Sequence, residues 1–81
     1  MKLHGQPLHP ATIEALSFFE YDHLPANLGK VSKPFHDLAH MIANSLLGAQ
    51  ATLALHDLLR SKDCAVRAAV LMEKQLDAGQ A

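Results

Sequence analysis

From Gln50 to Leu76 the chain contains neither glycine nor proline and is rich in alanine and leucine. This stretch alone predicts a single helix about 40 Å long at the helical rise per residue. Projected around that helix, Leu55, Leu58, Leu59, Ala65, Val66, Ala69, Val70 and Leu76 form a broad apolar arc, with Leu53 and Leu71 outside it. One antiparallel neighbour cannot cover so wide an arc, so the surplus apolar surface predicts self-association. The alternative is a three-helix monomer in which an upstream segment covers the excess. Residues 77–81 predict a fraying tail.

Upstream, Leu28, Val31, Phe35, Leu38, Ile42 and Leu46 recur at spacings of 3, 4, 3, 4 and 4, which is a narrow stripe along one helix. Pro34 falls inside the pattern, where it removes a donor and collides with the preceding turn. The helix therefore starts at Ser32 as N-cap, or begins near Pro25 or Ala26 and kinks. Leu28 and Val31 keep the phase and favour the earlier start, and Gly48 marks the expected end. Before it, Pro10-Ala11-Thr12 opens a short helical segment that runs through Ile13 to Phe19 and ends near Tyr21. Asp22-His23-Leu24-Pro25 reads as a connector, because the residue before a proline is pushed out of the helical region. The expected fold is all-α: one domain over residues 1–81, with residues 1–9 flexible, a short N-terminal helix, then a long antiparallel helical hairpin, oligomeric.

Composition narrows the function. A domain of 81 residues buries only about 60% of the surface its unfolded chain exposes, so association between copies is the expected staple. Cys64 is the sole cysteine, which excludes an intrachain disulfide and a multi-thiolate zinc site and suits a reducing cytosol. Its expected place is a buried apolar position. No stretch approaches the roughly 20 apolar residues that cross a bilayer, and MKLHGQPLHP has no continuous apolar run. No membrane partner is expected, and the expected location is the cytoplasm. A net charge of −1 argues against long DNA or RNA, which demands a concentrated basic surface. A small anionic ligand is compatible with it, since a few side chains can neutralise two phosphates locally.

His36 and His40 are four apart and share a helix face, as two zinc ligands would. Yet Asp37, not the glutamate of the zinc-protease signature, follows the first, and no further ligands are evident, although His4, His9, His23 and His56 occur elsewhere. No metal or other cofactor is expected. Nor is an enzyme: there is no nucleophile elbow, phosphate-binding glycine loop or paired-carboxylate arrangement, and Gly5, Gly29, Gly48 and Gly79 stand alone. Binding suits the residues better. Lys33, His36, His40 and Asn44 line up on a face away from the apolar stripe. On the second helix His56, Arg60, Asp63, Arg67 and Lys74 make a largely cationic edge, with Asp63 available to Arg60 or Arg67. Tyr21, the sole tyrosine, stands ahead of the first row, offering a ring for a base beside donors for phosphates. The competing reading is two solvated faces and an aromatic at the rim of a small core.

An aromatic followed by a helix of the form LxxVxxxFxxLAxxI, a short turn, and a second helix ending in DCAVRAAVL resembles the helical-hairpin sponge proteins that phages use against CBASS and Thoeris cyclic-nucleotide defence. The chain is also similar to small actinobacterial phage proteins with HLPxxLxxVSKPFxDLA segments. The likeness runs from about Phe19 to Leu71. It implies a homo-oligomer, often a hexamer of interlocked hairpins, that sequesters cyclic dinucleotides, and in some members cyclic trinucleotides, without cleaving them and without metal. It also implies a base-stacking tyrosine, which falls on Tyr21, and a phosphate-binding lysine, whose position is His36. Either His36 replaces that lysine as a pH-dependent donor or Lys33, one turn earlier, takes the role. The arginine of the family's separate trinucleotide pocket matches Arg67, while the pocket's small and hydroxyl residues have no counterpart around Pro34 and Leu38. The expected function is a non-catalytic sponge for cyclic oligonucleotide messengers. The alternatives are a helical adaptor with no small-molecule ligand and a metal-binding regulator using His36 and His40.

Overall fold

Three helices form, α1 (Pro10–Ser17), α2 (Ala26–Ser45) and α3 (Ala49–Gln80), in a computed structural model that describes residues 8–80, with side chains through Leu76. The described residues are helical or connecting, with no strand among them. The flexibility expected of residues 1–7 lies outside the described residues. Leu8 and His9 are part of the fold: Leu8 packs against the core, and His9 Nδ1 accepts the Ala11 N–H at 3.0 Å, capping α1 with Pro10 in its first turn. The helix stops at Ser17, after which the chain turns so that Phe19 points fully inward while Phe18 is left half exposed.

α2 runs unbroken from Ala26 through Pro34, so the early start holds and Ser32 is no N-cap. The Pro25 carbonyl takes the Gly29 N–H at 2.8 Å as the first intrahelical bond. The helix ends at Ser45, three residues before Gly48. Gly48 instead opens α3: its positive φ of 98° makes the turn, and its carbonyl accepts the Thr52 N–H at 3.2 Å. Leu46, Leu47 and Gly48 thus suffice to reverse the chain into an antiparallel hairpin. At the far end Asn27 donates to the Glu73 carboxylate, so α3 continues past the start of α2. Its backbone stays helical to Gln80, four residues beyond the expected limit at Leu76.

The core is small. Leu16 and Phe19 meet Ala39, Ala43 and Leu55, flanked by Leu8, Phe35, Ile42, Leu58 and Leu59. This moves the contact line of α2 from where the apolar stripe placed it. Ser32, Ala39 and Ala43 are buried, whereas Leu38 and Leu46 are 42% and 51% exposed. Small side chains let helix backbones approach, so they occupy the seam and the bulkier Leu28, Phe35 and Ile42 pack around it. On α3 the expected arc from Leu55 to Val70 is buried or half-buried, but Leu76, lying beyond Asn27's level, is exposed. Cys64 is exposed, not buried as expected. It sits on the side of α3 opposite to Leu55, where its small apolar character does not decide its environment.

Candidate functional site

The connector between α1 and α2 determines where Tyr21 goes. The Tyr21 carbonyl accepts the Leu24 N–H at 3.1 Å, closing a tight turn over Asp22 and His23 that delivers Pro25 to the start of α2. Tyr21 is thereby folded back onto the helix it precedes. A Cβ at Gly29 would lie 3.7 Å from the Tyr21 carbonyl oxygen and 3.9 Å from its ring. Two turns further along α2, the His36 ring meets the Tyr21 ring with centroids 5.0 Å apart at 77°, an edge-to-face contact. His40 continues the row, 4.4 Å from His36 by centroid. The face that the sequence presents as a solvated row is thus partly covered: of the four, His36, His40 and Asn44 are half-buried and Lys33 is exposed.

Beside the tyrosine lies an open cleft of about 300 Å³ lined by Tyr21, Asp22, Leu24, Ala26, Gly29, Lys30 and Lys33. It brings together Tyr21 and Lys33, two of the expected binding residues, and His36 touches the same ring from outside the lining. Lys30 is a binding candidate that the spacing analysis missed. It lies one turn before Lys33 and next to Gly29, and that i,i+3 relation was the signal available.

Asp37 sits behind the cations. One of its carboxylate oxygens accepts from Lys33 Nζ at 2.7 Å, and the other faces His36 Nδ1 at 3.2 Å. The hydrogen bond from Lys33, then that from His36, hold the Asp37 carboxyl below the usual range, and the same bond raises the Lys33 ammonium. Burial lowers the His40 imidazole, with repulsion from His36 adding to it. Lys30 makes no ion pair with a described residue.

Arg67 is exposed on α3 and is not part of the cleft lining. Asp63 engages neither arginine of its row but Lys62, at 3.0 Å. The Lys62 stem lies along the protein surface, with only 13% of its side chain exposed, and this brings the ammonium to the adjacent carboxylate. Among the described residues no group of three or more His, Cys, Asp or Glu side chains is placed to hold a metal ion, and no helix is long and apolar enough to cross a membrane.

Chemically, the cleft offers one aromatic ring, two lysines and the Asp22 carboxylate, while the half-buried His36 backs the ring from outside the lining and His40 lies beyond it. Such a set recognises a flat, negatively charged molecule by stacking and charge-assisted hydrogen bonds. No family model, curated protein or solved structure matches the chain.

Proposed function

We propose that this protein binds cyclic dinucleotide second messengers without altering them, removing them from solution and so silencing the host defence effectors they activate. The observation that carries the reading is the placement of Tyr21, whose ring borders a cleft containing Lys30 and Lys33 and rests against His36. A base stacked on Tyr21 leaves its phosphate within the territory of the lysines. The cleft's volume stands at the low end of ligand sites, which suits one nucleotide half. A ligand with two bases and two phosphates is then satisfied by two such clefts from two copies of the chain. Arg67 belongs to a second, trinucleotide site in this reading. The expected resemblance to phage sponge proteins is what singles out cyclic nucleotides among flat anions in this reading.

Calorimetric titration with a panel of cyclic di- and trinucleotides tests the proposal. Binding of at least one dinucleotide is expected, with Tyr21→Ala weakening it by about 5- to 100-fold, the loss of one stacked base, and Tyr21→Phe retaining most of the affinity. Absence of heat with every ligand at high micromolar concentration would remove the assignment. Unchanged affinity in Tyr21→Ala would clear the ring of the stacking role.

A further inference from the structure

The Asp37 carboxylate holds both candidate phosphate donors at once: Lys33 Nζ at 2.7 Å on one oxygen and His36 Nδ1 at 3.2 Å on the other. A phosphodiester presents the same pattern, one negative charge shared by two oxygens a short distance apart. We propose that Lys33 and His36 form a single anion-binding fork, occupied at rest by Asp37, and that a phosphate of the ligand binds by displacing this carboxylate. Lys30, on the cleft wall, meets the incoming phosphate first. This rests on the reading of the cleft as an anionic-ligand site and deepens it by naming which atoms receive the phosphate and what must leave.

Three observations support exchange over a merely structural ion pair. The pair runs Lys33 to Asp37 at i,i+4 with the cation nearer the helix N-terminus, the weaker of the two orientations for stabilising a helix. Both side chains are more than half exposed, so Asp37 can rotate into water with little loss of packing and the pair adds little to stability. Lys33, one arm of the fork, lines the cleft, so the fork opens toward the space where a ring on Tyr21 would place its phosphate. The raised Lys33 and lowered Asp37 ionisations come from this same resting contact.

Displacement makes Asp37 a built-in competitor. Its removal should tighten anion binding, whereas loss of a residue that only braces the helix would not. Inorganic pyrophosphate, which carries phosphate charge but no base, is titrated into the full chain and read by the backbone and histidine ring signals of residues 33–40 in NMR. Asp37→Asn is expected to bind it about tenfold more tightly than the natural protein. The gain should vanish in Asp37→Asn/Lys33→Met and shrink in Asp37→Asn/Lys30→Met. Asp57→Asn, the same charge change on an exposed position of α3, controls for net charge and should give no gain.

Equal or weaker pyrophosphate binding by Asp37→Asn, a gain that survives loss of Lys33, or a gain matched by Asp57→Asn each overturns the fork. The same proteins titrated with 3′,3′-cyclic GMP–AMP separate this from the wider assignment. Cyclic dinucleotide binding without any advantage in Asp37→Asn sinks the fork alone. A tightened pyrophosphate site that ignores every cyclic dinucleotide leaves the fork standing and removes the messenger.

Discussion

At the scale of single residues, His40 is where burial decides the ionisation of a ring. It is half-buried with its ring tilted against His36, and burial first, then repulsion from His36, hold its ionisation below the ordinary value of 6.5 against a weaker upward pull from Asp37. The unfolded chain therefore takes up this proton at higher pH than the folded one. Stability contributed by the neutral ring is present in full above about pH 6.5 and declines as the pH falls toward the depressed folded value. Urea midpoints measured at pH 8 and pH 5.5 should differ more in the natural protein than in His40→Gln; equal differences would mean that the ring is not protonated at a cost. The Asp37 contribution lies in a separate window, since a carboxyl lowered from 3.8 matters only when the pH falls to that region. These residues were legible in the sequence as a row, but not their burial. Spacing shows that His36 and His40 share a face; only the turn closed by Tyr21 and Leu24 brings an aromatic ring onto that face and takes it partly out of water. The same turn explains why Lys30 was missed, because its value comes from a neighbour outside its own helix.

At the scale of elements, Pro34 sits in the interior of α2 and leaves the Lys30 carbonyl without its intrahelical donor. The exposed ring contributes nothing to the core. A proline inside a helix costs about 3 kcal/mol relative to alanine, and stiffening of the unfolded chain returns up to about 1 kcal/mol of that. Pro34→Ala should thus stabilise the protein by about 2 kcal/mol in denaturant unfolding, while a loss of stability would mean that the fold depends on the proline at this point. The hairpin itself could be read from the sequence: the 3-4 spacing persists across Pro34, and the Gly- and Pro-free run dictates α3. The phase of the seam could not. Hydropathy marks Leu38 and Leu46 as inward, yet the seam follows Ser32, Ala39 and Ala43, because close approach of two helices is set by the smallest side chains and not by the most apolar. Ser32 illustrates the cost of that preference: its hydroxyl is fully buried and has no hydrogen-bond partner among the described residues.

At the scale of the molecule, the shape is the argument. The chain measures 56 × 21 × 18 Å with a radius of gyration of 15.3 Å, against about 12 Å for a compact globule of this length. α1 is only eight residues long and covers one stretch of the hairpin, so the three-helix packing leaves Leu53, Leu71, Met72 and Leu76 each more than half exposed along α3. A rod with so few buried side chains has little to hold it together alone. Burying one such leucine or methionine between copies contributes about 1.5–3 kcal/mol, and the proposed function requires that association also bring two Tyr21 clefts to one two-base ligand. Association is therefore expected on sedimentation, with a mass that is a multiple of 8.8 kDa. Leu71→Lys/Met72→Lys should dissociate it without loss of helicity, because neither side chain supports the isolated fold. If the shared-cleft reading is right, cyclic dinucleotide affinity falls at least about tenfold in the same variant, since each copy then holds only half the ligand. A dissociated variant that binds as tightly as the natural protein would show that one cleft is a complete site, and the self-association would then need a reason other than the ligand.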